Sequence, residues 1–168
     1  MGMINEFFVV PDELIKKRIK EEFDIYDYIQ KELILFHEYK DLPFWRDGIS
    51  FGTNKGWNAT QEILNQLDQS EDKILKRITY DDNKFLSNQF FKLNSDVDKI
   101  WEYLKRISIA EFHNFLEDEI NRKKIEEKEG YRMHWVNNQS AMVENFMEIL
   151  NAYYNAVKRK EGIINELE

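Results

Sequence analysis

The chain has 168 residues, of which 42% are hydrophobic and 14% aromatic, so it is not a disordered protein, and its length favours one domain over residues 1–168. Its 24 basic and 32 acidic residues give a net charge of −8, which argues against binding to the phosphate backbone of nucleic acids. The absence of cysteine excludes disulfides, thiolate catalysis and cysteine metal sites.

The beginning of the chain predicts a protein that is neither exported nor inserted in a membrane. It lacks the positive start and the apolar stretch of a secretory signal peptide. The longest apolar runs, residues 7–10 and 33–36, are too short to cross a bilayer. Together with the absence of cysteine, these features predict a cytoplasmic protein without membrane contact.

The first forty residues predict a strand and two helices. Residues 3–10 predict the strand, which ends at Pro11. Pro11 can occupy the first turn of the helix that follows. A second helix is predicted over residues 25–39. The apolar residues of the first helix recur at helical spacing: Leu14, Ile15, Ile19 and Phe23.

Residues 40–55 are the longest stretch with loop character, because they hold a proline and several glycines. This stretch carries Phe44, Trp45 and Arg46. Since Trp and Arg are enriched at binding hot spots, these three residues are candidates for contact with a partner. The alternative is a loop whose aromatic side chains fold back into the core, which their apolar character favours.

In the middle of the chain, helix-capping residues and the spacing of apolar residues predict where the helices and strands lie. Residues 57–67 have the apolar spacing of a helix, and Ser70 can cap a short helix after it. Residues 90–93 predict either a strand or an extended link. Asn94 or Ser95 is then expected to cap the next helix.

That next helix is predicted to carry an apolar stripe through residues 97–107, with Trp101 deep in the core. Ser108 and Glu111 have the spacing of a capping box, which predicts the start of another helix. Residues 122–129 are charged and are expected to face solvent.

The longest predicted helix covers residues 138–160 and is expected to form the central wall of the core. The basic residues at 158–160 suit its C-terminus, and Gly162 can stop it. Residues 163–167 predict a strand that closes a sheet. The apolar face of the helix comprises Val143, Phe146, Met147, Leu150, Tyr153, Tyr154 and Val157, and the polar face Glu144, Glu148, Asn151, Asn155 and Lys158.

The residue patterns of common catalytic and metal sites do not occur. The three histidines, His37, His113 and His134, are scattered. His113 and Glu117 share one turn of a predicted helix, but a zinc site needs a third ligand. No serine lies in a Gly-x-Ser-x-Gly motif, and the glycines do not form a phosphate loop. We therefore expect no catalytic residue, no metal and no cofactor.

Several short motifs occur in a characteristic order along most of the chain. They are Met1-Gly2-Met3, Lys55-Gly56-Trp57, Gly130-Tyr131 ahead of Trp135, and Leu150-Asn151-Ala152-Tyr153-Tyr154-Asn155-Ala156 ahead of Gly162. Together they resemble the YfbM-like family of small bacterial proteins. The resemblance implies a compact α+β domain with a small sheet and several helices, and it implies no activity. Where the family usually has a histidine after the helix-opening Trp, this chain has Gln61.

We predict a helix-rich α+β domain whose small β-sheet includes strands near both termini. The acidic charge favours a non-enzymatic module that binds a protein with a basic surface, one form of which is an immunity or antitoxin protein. The alternative is an enzyme or a small-ligand-binding protein with a polar pocket assembled from several segments. The candidate lining of that pocket is Gln61, Asn65, Tyr131 and His134.

Overall fold

The computed structural model of the chain describes residues 4–20, 47–53, 56–79, 85–86, 88–129 and 134–167. The predicted helix over residues 25–39 lies outside these ranges. Within them, no helix is both long and apolar enough to cross a lipid bilayer.

An antiparallel sheet joins the two ends of the chain. It has the strand order β2-β1-β5-β4-β3, and its central strand, β5, pairs with β1 from Asn5 opposite Leu167 to Val10 opposite Gly162. The prediction that strands near both termini share one small sheet is therefore confirmed. The strands are β1 (Asn5–Val10), β2 (Ser50–Thr53), β3 (Phe85–Leu86), β4 (Gln89–Lys92) and β5 (Gly162–Leu167).

Helices cover both faces of this sheet, which gives the predicted helix-rich α+β fold. Because side chains alternate along a strand, Phe7 and Val9 of β1 join a large core with α7, whereas Phe8 and Val10 pack with α1. The helices are α1 (Asp12–Ile19), α2 (Trp57–Leu67), a 3₁₀ helix (Ile74–Arg77), α3 (Asn94–Leu104), α4 (Ile109–Glu117), α5 (Glu119–Glu129), α6 (His134–Asn137) and α7 (Gln139–Arg159).

Strand β2 corrects the prediction that residues 40–55 are all loop. Phe51 is fully buried and Thr53 is nearly so, while Gly52 between them is exposed. This alternation is that of a strand with one buried face. The strand escaped prediction because it is four residues long and lies among glycines.

Two further predictions are wrong, one about α1 and one about α3. Ile19 was expected in the buried stripe of α1, but 46% of it is exposed. Helix α3 was expected to be capped by Asn94 or Ser95, yet neither side chain caps it. Instead, the Asn94 N–H donates a hydrogen bond to Asp12 Oδ1 at 2.8 Å, so a carboxylate from α1 holds the start of α3. Ser108 caps the next helix as predicted, since its Oγ accepts from the Glu111 N–H at 3.0 Å, which is one of the two hydrogen bonds of a capping box.

Helix α7 matches its predicted bounds to within one residue at each end. The side chain of Asn138 accepts a hydrogen bond from the Ala141 N–H and begins the helix. Its end lies at Lys160, which has a left-handed backbone with φ 57°, and the Glu161 N–H bonds to the Ala156 carbonyl. This is the hydrogen-bonding pattern of a C-terminal helix cap, so Lys160, and not Gly162, stops the helix.

The predicted polar face of α7 is wrong at two asparagines. Asn151 and Asn155 are only 2% and 0% exposed. Asn151 Nδ2 donates to the Met147 carbonyl at 2.9 Å, and Asn155 Nδ2 donates to the Asn151 carbonyl at 2.8 Å. Asn155 Oδ1 also accepts from the Gly48 N–H at 3.3 Å. Because backbone groups satisfy these amides, they can be buried without a large desolvation cost.

Trp101 is packed against the core but only partly buried, whereas Leu104 is fully buried. Its ring centroid lies 6.3 Å from that of Tyr154. The prediction of deep burial is thus wrong, and we expect Trp101→Ala to lower the free energy of unfolding by about 2 kcal/mol, less than the ~3–5 kcal/mol typical of a fully buried Trp. Urea denaturation measures this, with Leu104→Ala as the buried control. A larger loss for Trp101→Ala than for Leu104→Ala would contradict the expectation.

Candidate functional site

A surface cleft of about 670 Å³ lies between the turn that follows α2 and one face of α3. Its volume is within the range of ordinary ligand pockets. The turn and the 3₁₀ helix contribute Gln69, Ser70, Glu71, Asp72 and Ile74. Helix α3 contributes Lys99, Glu102 and Tyr103, and the turn directly after it contributes Arg106.

Hydrogen bonds to Asp68 and Ser70 fix the turn wall of the cleft. The buried carboxylate of Asp68 accepts from the Ser70 N–H and from the Leu75 N–H, both at 2.8 Å. Ser70 Oγ accepts from the Ile74 N–H at 2.8 Å, as its predicted capping role requires. Lys73 takes a left-handed backbone with φ 50°. These bonds hold the turn so that the two acidic residues after Ser70 project into solvent.

Gln61 supports this wall from the protein interior. It is 4% exposed, and its Nε2 donates to the Leu75 carbonyl at 2.8 Å and to Asn65 Oδ1 at 2.9 Å. Its Oε1 accepts from the N–H and the hydroxyl of Thr79, at 3.0 and 2.8 Å. The amide therefore ties both ends of the 3₁₀ helix to α2, and neither Gln61 nor Asn65 lines the cleft.

The helix wall follows from the spacing of residues on α3. Lys99, Glu102 and Tyr103 occupy positions i, i+3 and i+4 of α3 and share one helical face, and Arg106 lies in the turn that follows the helix. The Arg106 guanidinium carbon lies 4.7 Å from the Tyr103 ring centroid, a cation–π contact. Lys105 Nζ lies 2.7 Å from Glu102 Oε1, and the hydrogen bond to that ammonium holds the pKa of Glu102 below its ordinary value.

Several charged groups in the cleft have no ionic partner among the residues that the structure describes. In the described ranges, the carboxylates of Glu71 and Asp72 and the ammonium of Lys99 have neither a hydrogen bond nor an ion pair. The guanidinium of Arg106 contacts the Tyr103 ring. The turn wall therefore offers negative charge. The helix wall offers the positive charge of Lys99 and Arg106, because its one carboxylate, Glu102, is paired with Lys105.

The buried ionisable side chains have a different role. Glu62, Lys92 and Glu166 are at most 6% exposed, and buried charges need partners. Each makes hydrogen bonds to side chains nearby: Glu62 with Asn65 and Gln66, Lys92 with Asn165, and Glu166 with Asn88 and Gln89. These groups stabilise helix α2 and the sheet.

The residues proposed from the sequence as partner contacts, Phe44, Trp45 and Arg46, lie outside the described residues, as does Tyr131. His134 begins α6, and its side chain lies outside them too. The chain that follows Arg46 is attached to α7, since Asp47 Oδ1 lies 2.8 Å from Lys158 Nζ. Both the partner contact and the shared pocket of Gln61, Asn65, Tyr131 and His134 stay predictions.

The predicted pair of His113 and Glu117 is present on the surface of α4, with 3.8 Å between His113 Nδ1 and the Glu117 carboxylate. In the part of the chain that the structure describes, His, Cys, Asp and Glu side chains do not gather in threes as metal ligands would.

The cleft was not predicted from the sequence, although one of its two walls, the helix wall, corresponds to a recognisable residue pattern. The face of α3 opposite the stripe of Val97, Ile100 and Leu104 repeats charged and aromatic residues at helical spacing, and that periodicity could have identified the helix wall. The turn wall has no distinctive residue pattern, because a pair of acidic residues in a loop is common in a chain with 32 acidic residues.

Comparisons with family models and with curated protein sequences give no match. Among solved structures, the chain is similar to the crystal structure of YfbM from Escherichia coli, a protein of unknown function. The TM-score is 0.57 and the identity 13%, over 98% of this chain and 99% of that chain. The YfbM-like fold expected from the motifs is therefore confirmed, and an identity this low carries over the fold alone.

Proposed function

We propose that the chain is a non-enzymatic protein-binding module whose partner presents a basic surface. The observation that carries this proposal is the contrast between its charged groups. The buried ones, such as Glu62 and Glu166, are bonded within the fold, whereas Glu71, Asp72 and Lys99 in the cleft have no partner among the described residues and can contact another molecule. Charged groups without such a partner are the ones available for recognition.

The net charge of the chain supports a partner whose surface is positively charged. A charge of −8 attracts basic proteins over a distance of about one Debye length and accelerates their encounter. An immunity or antitoxin protein that blocks a basic toxin domain in the cytoplasm is one form of this function. Affinity would then come from a few anchors, for which Phe44, Trp45 and Arg46 are candidates.

A second candidate is an enzyme or a small-ligand-binding protein, which the volume of the cleft favours, since about 670 Å³ suits a small molecule. The two functions predict different ligands for the protein. A protein-binding module retains a macromolecule in a salt-dependent way, whereas the alternative turns over or binds a small molecule without a partner.

The proposed function is tested by immobilising the protein and passing over it a lysate of the cells that produce it. We expect a basic protein to be retained and to elute with rising salt, because screening weakens attraction between charged surfaces. An unrelated acidic protein of the same net charge is the control, since it retains proteins by charge alone. If nothing binds specifically even at low salt, and the purified protein turns over a small molecule, the alternative replaces the proposal.

Trp45→Ala tests the anchor segment. With the purified partner, we expect the dissociation constant to rise about 30-fold, which corresponds to ~2 kcal/mol, while the melting temperature stays nearly unchanged. Calorimetric titration and thermal unfolding measure the two quantities. If Trp45 instead packs into the core, the melting temperature falls clearly, and binding weakens only as far as the protein unfolds.

A further inference from the structure

The two walls of the cleft differ in the sign of the charges that have no ion-pair partner among the described residues. Glu71 and Asp72 lie on the turn wall. Lys99 and Arg106 lie on the helix wall together with Glu102, whose carboxylate is paired with Lys105 Nζ at 2.7 Å. A ligand of one sign would be attracted by one wall and repelled by the other. A ligand that carries both signs on opposite sides would complement both walls.

The length of the helix wall indicates what such a ligand is. Arg106 follows Lys99 by seven positions and lies in the turn directly after α3. At about 1.5 Å per residue for the helical part and slightly more for the turn, the wall is roughly 10 Å long. An extended peptide rises about 3.3 Å per residue, so roughly three residues match this length. Its successive side chains point to opposite sides, so neighbouring residues face opposite walls.

We propose that the cleft binds an extended segment of the partner protein in which basic and acidic side chains alternate. The basic side chains face Glu71 and Asp72, and the acidic ones face Lys99 and Arg106. Tyr103 adds an aromatic surface between them on the helix wall. This inference rests on the proposed protein-binding function and specifies what the partner presents.

The arrangement also explains how an acidic protein can choose among basic partners. The net charge of −8 attracts any of them. Lys99 and Arg106 repel a segment that carries only basic residues, and this repulsion is a common source of specificity. Only an alternating segment satisfies both walls, so the cleft sets the register of the bound segment.

Two labelled peptides of about six residues test the inference. In one, Arg and Glu alternate; in the other, the same residues form a block of Arg followed by a block of Glu. The two have the same composition and net charge, but only the alternating peptide, when extended, carries one sign on each side. We expect fluorescence anisotropy at low salt to show at least about tenfold tighter binding of the alternating peptide. Equal affinities would overturn the proposal.

Variants of the two walls locate the binding site. We expect both Glu71→Gln/Asp72→Asn and Lys99→Gln/Arg106→Gln to abolish the preference for the alternating peptide. The matched control is Glu13→Gln/Glu144→Gln, which removes two exposed carboxylates from α1 and α7 and should keep the preference. Circular dichroism checks that each variant folds. A preference that persists in the cleft variants would overturn the proposal.

Two further measurements show whether a negative result contradicts the cleft inference alone or the protein-binding function as well. Free arginine and glutamate should not compete with the alternating peptide at its own concentration, and competition by them would mean that the cleft binds a small zwitterion instead. A captured partner that binds Glu71→Gln/Asp72→Asn as tightly as Glu13→Gln/Glu144→Gln would overturn the cleft inference and leave the protein-binding function standing. Absence of any partner, with no peptide preference, would overturn both.

Discussion

Replacing Gly162 by alanine is expected to lower the free energy of unfolding by roughly 3 kcal/mol or more, as overpacking of a well-packed site does. A Cβ at this position would overlap with the Lys92 carbonyl oxygen and with Ile15 Cδ1, and it would lie 2.9 Å from Asp12 Oδ1. The side chain of Ile15 could move, but the carbonyl could not, because Lys92 pairs with Ile163 in the sheet.

Gly52→Ala is the matched control for this substitution, since Gly52 also lies in a strand of the same sheet. A Cβ there meets nothing closer than 3.9 Å, the distance to Glu6 Oε1. Alanine reduces the backbone freedom of the unfolded chain, so we expect a change between zero and a gain of about 1 kcal/mol. Urea denaturation measures both variants. A difference below about 1 kcal/mol between them would show that the strands are not packed this closely at Gly162.

Gly162 also illustrates what local sequence patterns can and cannot predict. The sequence placed it as the stop of α7, because glycine commonly follows a helix. The residue is instead required where β5 passes close to β4 and α1, a contact between segments far apart in the chain. Lys160 ends the helix with a left-handed backbone that a glycine could adopt more easily.

The helices with strong local signals were predicted well. Helix α2 has its predicted bounds, 57–67, and Ser108 caps α4 as predicted. Errors occurred where a distant segment decides the outcome. Asn155 is buried where its Oδ1 accepts from the Gly48 N–H, and α3 begins at a carboxylate from α1. Periodicity reports neither kind of contact.

The same limit applies to the candidate site. The helix wall of the cleft follows from residue spacing on α3, but the turn wall depends on the buried bonds of Asp68 and Gln61, which no local pattern predicts. The sequence did select Gln61 as a polar residue of possible importance. The structure places it behind the cleft, where its stability effect can be measured separately from binding.

Gln61→Met is expected to lower the free energy of unfolding by about 3 kcal/mol. Methionine has nearly the same shape, so the loss comes from hydrogen bonds and not from a cavity. The N–H and hydroxyl of Thr79 and the Leu75 carbonyl would lose the partner that the amide gives them, and each buried polar group left unsatisfied costs about 1–3 kcal/mol. The control is Gln69→Met in the exposed turn after α2, where we expect less than about 1 kcal/mol. Equal losses would contradict the role of Gln61.

Gln61→Glu distinguishes the hydrogen bonds from packing, because its effect should depend on pH. The glutamic acid can donate to the Leu75 carbonyl only when protonated, and burial also disfavours its charged form, so its pKa in the folded state rises above the ordinary value of about 4.3. The stabilising bond is therefore present below that value and is lost as the pH rises through the raised pKa. We expect the variant to approach the wild type in stability near pH ~4 and to fall well below it near pH ~7. A constant difference across this range would mean that the amide acts through its shape, and that the turn wall of the cleft is held by other contacts.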